Sequence, residues 1–482
     1  MLTQSTFYTS KMLMLEAFCI FQNVDMRSTV IGSDSNYGIS MEGISDMLKR
    51  KFTDSLEEWV HHKNRKCLIV QGARQIGKTF LIERFAEEYF EETVEINFKE
   101  TPSATEIFSG DLTVDAMVMA LRFRFPDKKI LPGKTLIFLD EIQECGEAVT
   151  SLKFWAVDGR YDVIASGSLL GIDYKRASSY PVGYVDYLDM HGLDFEEFLW
   201  GMGVTADMID SLHSFFEERR PVPDSINTQM MGYYRQYIAT GGMPAAVAEY
   251  VRSKDFREVD RIQRALLRDY QYDIAHYATA EEKVKAEKCY LSLAGQLLDK
   301  ENHKFQYKEI ERGARAQKYF SSMEWLVRAD IIHLCRLVTD IRFDLADYSR
   351  EDFFRAYTTD LSLLMAMKDF SLKQLVVENG LSGNTKGGLY ECAVADALYK
   401  KGYPLYFYKN GTTKKEIDFL IQKSGRVIPI EVKSGNKRAN SLNSILANKT
   451  DVSTAYKFID GNVGTAENGV VTLPLYMVMF AF

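Results

Sequence analysis

Apolar positions along this 482-residue chain follow two rhythms, and the rhythm changes several times. In "MLKRKFTDSLEEWVHH", Leu48, Phe52, Leu56 and Val60 fall at helical spacing, so structured chain is expected from about Met47. From residue 66, short apolar runs alternate with helical stretches. Leu68–Val70, Thr93–Phe98, Thr135–Leu139 and Asp162–Ala165 read as strands, an order that predicts a parallel sheet with crossover helices. From about 195 to 335 the pattern is helical, broken at "RRPVPDS" (219–225) and "ATGGMP" (239–244). Residues 305–340 read as a compact helical unit ending in the apolar run "DIIHLCRLV", a candidate winged-helix element. The last hundred residues return to α/β. A helix, "GGLYECAVADALYKKG", leads to the strands "LYFYK", "EIDFLI" and "VIPIEVK", then to a helix "SLNSILANK" and two further apolar runs. Near the start, "RSTVIGSDSNYGISMEG" has no period and reads as loop or disordered chain.

Length and charge narrow this picture. A single core rarely grows to 482 residues, so three or four domains are expected. Net charge is −8, which makes the whole chain a poor general nucleic-acid binder; any such contact has to be local. Cys19, Cys67, Cys145, Cys289, Cys335 and Cys392 are scattered without metal-ligand spacing and read as free thiols of a reducing compartment. No apolar run is long enough to span a bilayer. "MLMLEAFCIF" (12–21) is short, carries Glu16 and lacks a cleavage pattern, so a cytoplasmic protein without membrane contact is expected.

The strongest chemical signal is Gly72-Ala73-Arg74-Gln75-Ile76-Gly77-Lys78-Thr79, which fits GxxxxGK[ST] between a strand and a helix. Its glycines let backbone N–H groups approach phosphate oxygens, and the following helix presents its positive end. Through this loop and Phe80, the motif predicts ATP binding, with Lys78 on the β- and γ-phosphates and Thr79 on Mg²⁺. A second signal is "TLIFLDEI" (135–142), a strand ending in two acids. Asp140 is expected to assist in holding Mg²⁺, and Glu141 to act as general base toward water. A third is "YDVIASGSLLG" (161–171). If this strand lies between the other two, Ser166 or Ser168 can reach the γ-phosphate or the water; a plain Ser-Gly-Ser turn is the alternative.

A second constellation lies near the C-terminus. Glu431 and Lys433 alternate on "IPIEVK" and so share a face. Asp418 lies on a neighbouring strand and Glu391 on the preceding helix. Asp418, Glu431 and Glu391 can hold Mg²⁺, with Lys433 acting on the attacking water: phosphodiester-hydrolysis chemistry. An exposed Glu/Lys strand pair is the alternative. Residues 386–440 hold eleven Lys/Arg against five Asp/Glu, a local charge of +6 (11 − 5), interleaved with Tyr403, Tyr406, Phe407 and Tyr408, which suits a nucleic-acid groove.

Together these motifs resemble the prokaryotic AAA-type ATPases with a C-terminal DUF4143 region. The resemblance covers residues 47–482 and rests on "GARQIGKT", "LIFLDEIQ", "ASGSLLG", "YPVGYVDYLDMHGLDFEEFLW", "GGMP", "GARAQKYFSSMEWLVRADII" and "GGLYECAVADAL…KKEIDFLIQKSGRVIPIEVKSG". It implies a multidomain α/β fold: a P-loop core (47–200), a helical lid (201–290), a winged-helix-like and connecting segment (291–374) and a PD-(D/E)xK nuclease-like domain (375–482), with residues 1–46 expected as a poorly ordered N-terminal extension. By motif, Asp418, Glu431 and Lys433 match the nuclease core and Glu391 the helix acid. A glycine-proline element near the nucleotide base would be Gly242 and Pro244. Family members carry Gly-Arg where this chain has Gly183-Tyr184, which leaves an arginine finger unplaced; Arg176 is nearby. The extension lies outside the resemblance, and Met41 or Met47 are alternative starts. The expected function is an ATPase whose nucleotide state controls a nuclease-like domain acting on DNA, as a monomer or small oligomer. The alternatives are a switch with a catalytically silent nuclease-like fold and a remodelling ATPase with a protein partner.

Overall fold

The computed structural model describes residues 48–167, 179–278, 282–298, 304–410, 415–435, 440–447, 452, 454–464 and 469–482. The expected extension, with Met41, Met47 and Cys19, lies outside the described residues, as do Ser168 and Arg176.

The amphipathic start is α1 (Phe52–His61), which buries Leu56 and Trp59. The expected alternation follows as β1 (Cys67–Gln71), α2 (Lys78–Tyr89), β2 (Glu92–Asn97), α3 (Val114–Arg124), β3 (Thr135–Asp140), α4 (Gly146–Asp158), β4 (Asp162–Gly167) and β5 (Val185–Asp189). The five strands pair in parallel in the order β2-β3-β4-β1-β5. Leu68 and Val70 of β1 enter one core while Cys67 and Ile69 enter another; β3 divides Leu136 and Phe138 from Ile137 and Leu139 in the same way. A sheet covered on both faces needs apolar side chains at every position, so these strands read as continuous apolar runs. The edge strand β5 buries only Val185 fully, and its polar sequence "VDYLD" hid it from a search for apolar runs.

The helical block contains α5 (Phe195–Gly201), α6 (Ala206–Glu217), α7 (Asp224–Thr240), α8 (Pro244–Ser253), α9 (Phe256–Tyr277), α10 (Lys283–Leu297) and α11 (Ala316–Arg328). Asp194 and Glu197 close a capping box at the start of α5. Both predicted breaks fall between helices, and Pro244 opens α8, where its missing N–H costs nothing.

The predicted strand after this block is β6 (Ile332–Val338), which forms an antiparallel hairpin with β7 (Ser349–Thr358). This hairpin is not a separate wing. β6 also pairs in parallel with β8 (Leu405–Lys409), and the sheet continues through β9 (Glu416–Lys423), β10 (Arg426–Lys433), β11 (Ala455–Ile459) and β12 (Val470–Pro474). Its order, β12-β11-β10-β9-β8-β6-β7, runs across the boundary expected at residue 375. Local pattern identifies a strand but not a partner beyond intervening helices. Those helices are α12 (Leu361–Ala366), α13 (Phe370–Val377) and α14 (Gly383–Lys400); α15 (Asn440–Leu446) follows β10. One hydrophobic core connects the Leu68/Val70 face of the first sheet, through α5 and α7 to α11, with α14 and β10. Among the described residues no helix is long and apolar enough to cross a membrane.

Candidate functional site: a phosphate loop at the edge of the first sheet

The loop from β1 to α2 uses backbone conformations that its sequence permits at a cost. Gly72, Gln75 and Gly77 have φ of +149°, +61° and +89°. A Cβ at Gly72 would lie 2.1 Å from the Met190 carbonyl oxygen, so only glycine fits there. Lys78 Nζ turns back across the loop and donates to the carbonyls of Gly72 (3.0 Å) and Ala73 (2.8 Å). Burial lowers the Lys78 pKa to about 8; Glu141, Asp140 and Asp330 oppose the drop and the Arg74 charge adds to it. Arg50, just ahead of α1, supports the loop from behind, reaching the carbonyls of Ile76 (3.2 Å) and His191 (2.6 Å) and the Glu197 carboxylate (3.1 Å).

The strand order puts the ends of β3, β4 and β1 side by side, and Asp140 gathers their polar groups. Thr79 Oγ1 and Asn97 Nδ2 each donate to Asp140 Oδ2 at 3.0 Å, and Ser166 Oγ donates to Oδ1. Burial raises the Asp140 pKa, the Ser166 and Thr79 hydrogen bonds lower it, and the Glu141 charge raises it. Ser166 therefore meets Asp140 between β3 and β1, the middle position expected of its strand. Glu141, at φ +51°, accepts a hydrogen bond from Gln143 Nε2. Gln143 is itself buried against Gly167, where a Cβ would lie 2.5 Å from Gln143 Oε1. A hydroxyl and a carboxylate in contact, a lysine over the loop and a second carboxylate beside them form a donor set that suits Mg²⁺ and a nucleotide triphosphate. Asn97 and Gln143 escaped the sequence reading. Asn97 had a signal, a polar residue ending an apolar strand; Gln143 closes the motif "LIFLDEIQ", but nothing in that motif assigned it a role.

The helical block reaches the loop as well. Arg74 pairs with Asp273 of α9, Gln75 Nε2 donates to Asp269 (2.8 Å), and Tyr270 Oη donates to the Arg74 carbonyl (3.0 Å). Gly242 lies in a different environment. Its N–H donates to Asp360 (2.9 Å), its carbonyl accepts from Leu193 N–H (2.6 Å), and a Cβ there would lie 2.5 Å from Lys400 Nζ. The polar backbone of Gly242 is thus engaged with Asp360, which caps α12, and with the Leu193 loop, and Pro244, two residues on, is the first residue of α8.

At the C-terminal centre, Lys433 Nζ is 2.5 Å from Glu431 Oε1, as their shared strand face requires. Asp418 Oδ2 accepts the Val432 N–H at 2.8 Å. Burial opposes the Lys433 charge, but Asp418 and Glu431 outweigh it and raise the pKa. The structure brings in a residue that the sequence reading missed. Arg355 of β7, almost fully buried, donates to Glu391 Oε1 (2.7 Å) and pairs with Glu416. Tyr357 Oη also donates to Glu391 Oε1 (2.9 Å). One oxygen of Glu391, the acid expected to ligate a metal, is therefore engaged with a cation and a phenol hydroxyl. Among the described residues no three His, Cys, Asp or Glu side chains are grouped to hold a metal ion. A lone arginine inside the apolar strand "FFRAYT" was a signal of the same kind as Glu431 in "IPIEVK". Part of the local basic excess is also consumed internally: Lys386 pairs with Asp460, Lys409 with Glu416, and Lys400 with Asp360 and Asp396.

Three families match the sequence: an AAA domain over residues 64–199, a domain of unknown function (DUF8612) over 231–374 and a domain of unknown function (DUF4143) over 386–476. No curated protein matches. Among solved structures, the Aeropyrum pernix ORC1 protein in complex with DNA is 12% identical, with 73% of this chain and 92% of that one covered and a TM-score of 0.27. A RuvB variant from Thermotoga maritima is 12% identical, with 61% and 91% covered and a TM-score of 0.28. PCH-2 of C. elegans is 13% identical, with 46% and 68% covered and a TM-score of 0.26. The chain thus carries an AAA domain ahead of a DUF4143 domain, the domain order of the AAA-type ATPases that its motifs resemble.

Proposed function

We propose that this protein hydrolyses ATP at the β1–α2 loop, and that its nucleotide state governs a C-terminal region that grips DNA without cutting it. The observation that carries the first part is the Asp140 cluster, with Thr79, Asn97 and Ser166 on one carboxylate beside Lys78. In this reading residues 72–80 wrap the phosphates, and Lys78 exchanges the Gly72 and Ala73 carbonyls for β- and γ-phosphate oxygens. Thr79 and Asp140 hold Mg²⁺, and Ser166 keeps Asp140 oriented. When bound, Mg²⁺ supplies positive charge to the phosphate oxygens. Glu141, held by Gln143, accepts a proton as a water oxygen bonds to the γ-phosphorus and the bond to the bridging oxygen breaks. The products are ADP and phosphate.

The non-cutting reading of the C-terminal region is supported by Arg355, whose charge occupies Glu391, and the local basic excess supports DNA as its partner. A second reading, Mg²⁺-dependent cleavage, is supported by the convergence of Lys433, Glu431 and Asp418. One set of samples tests both. Glu141→Gln is expected to bind ATP but to lose roughly 100-fold or more in turnover; normal turnover would remove Glu141 as the base. The ATPase rate is expected to respond to added single- or double-stranded DNA, with plasmid left intact. Divalent-dependent nicking that Glu431→Ala abolishes would establish the second reading. An ATPase rate indifferent to DNA would favour a protein client.

A further inference from the structure

Asp269, Tyr270 and Asp273 lie on one face of α9, and all three meet two consecutive residues of the phosphate loop. Arg74 is the third residue of that loop. Its side chain is 17% exposed and that of Asp273 is 6% exposed, so the ion pair is shielded from water. The ion pair is anchored within the loop itself, four residues before Lys78, whose side chain lies across the Gly72 and Ala73 carbonyls. A guanidinium presents the same planar fork to a carboxylate and to a phosphate. A phosphate reaching the loop therefore competes with Asp273 for Arg74.

We infer that Arg74 is the γ-phosphate arginine of this ATPase, supplied in cis by the phosphate loop itself, and that Asp273 of α9 is the counter-ion it exchanges for the nucleotide. The inference rests on the ATPase reading above. The exchange leaves Asp273, a buried carboxylate, without its guanidinium. The Lys99 charge still favours that carboxylate, but a buried charge stripped of its ion-pair partner is unfavourable, so the arrival of the γ-phosphate is felt at α9, in the region between the AAA domain and DUF4143.

The experiment compares wild type, Arg74→Gln, Arg74→Lys and Asp273→Asn. It measures affinity for Mg²⁺-ADP and Mg²⁺-ATPγS, turnover of ATP, and thermal unfolding of each variant. Arg74→Gln is expected to keep its ADP affinity, to lose about 10-fold in ATPγS affinity, and to lose about 100-fold or more in kcat. Arg74→Lys is expected to recover little, because an ammonium lacks the fork. Asp273→Asn is expected to bind ATPγS several-fold more tightly, since a competitor has been removed. Wild-type kcat in Arg74→Gln would overturn the inference. So would weaker ATPγS binding in Asp273→Asn, which would make the ion pair a structural brace. Should Arg74→Gln fail to fold, Arg74→Lys decides: kcat close to wild type overturns the inference and a large loss supports it. A wild-type protein that binds neither nucleotide would instead overturn the ATPase reading, and this inference with it.

Discussion

Gly72 and Gly77 occupy one loop but serve different needs. Gly72 combines φ +149° with a Met190 carbonyl oxygen 2.1 Å from where a Cβ would sit. Gly77 has φ +89° and open space around it. Gly72→Ala therefore suffers both a clash with backbone and strain, about 2–3 kcal/mol, and Gly77→Ala strain alone, about 1 kcal/mol. Chemical denaturation is expected to rank them in that order, and Gly72→Ala is expected to lose nucleotide binding as the loop shifts away from Met190. At this scale the sequence was most informative where chemistry and backbone geometry coincide, as in GxxxxGKT. It was least informative for side chains that act on other side chains. Gln143 orients Glu141, and Arg355 occupies Glu391; neither role has a local spacing to betray it.

The element that joins the two ends of the chain is α14. Its last residue, Lys400, has a buried side chain that donates to the Asp360 carboxylate (2.8 Å), Tyr237 Oη (3.0 Å) and the Leu193 carbonyl (3.0 Å) and forms an ion pair with Asp396 (2.9 Å). Those partners come from α7, from the loop that leaves β5, from the start of α12 and from α14 itself. The residue before it, Tyr399, donates from Oη to Asp330 (2.6 Å), whose buried carboxyl is pushed up to about 6 and whose charge is felt at Lys78. Lys400→Met keeps most of the packing but strands Asp360 and Asp396 without their cation. Loss of one partner of a buried pair costs about 3–5 kcal/mol. Urea unfolding is expected to report a loss of that size; a loss below about 1 kcal/mol would mean that Lys400 does not secure this junction. The helix itself was legible from its apolar spacing. That a lysine at its end closes a buried network was not, because a lysine near a helix C-terminus is ordinarily a solvated cap.

Across the whole molecule, one core runs from the first sheet to the last, and titratable groups are caught inside it. His191 is held down to about 4, chiefly by burial and then by the Lys400 charge, and burial holds His333 well below its ordinary value. Both stay neutral in the folded chain while the unfolded chain takes up protons near pH 6.5. Between about pH 6.5 and pH 4 the unfolded state therefore binds more protons, and stability falls as pH falls. Asp330 and Asp396, raised to about 6, and Glu95, raised to about 7, act in the opposite sense, so the test is a difference: between pH 7.5 and pH 5 the thermal midpoint of His191→Gln is expected to fall relative to its pH 7.5 value by less, or rise by more, than that of wild type, and an equal change would remove His191 as a cause. Most of the order of helices and strands, β5 and β7 apart, the nucleotide loop and the Glu431–Lys433 face were readable along the chain, because periodicity and short motifs are local consequences of covalent spacing. The partners were not. The pairing of β6 with β8, the engagement of Glu391 by Arg355 and the grip of α9 on Arg74 join residues far apart in sequence. Those contacts exist only once burial has brought the segments together and left each buried charge in need of its opposite.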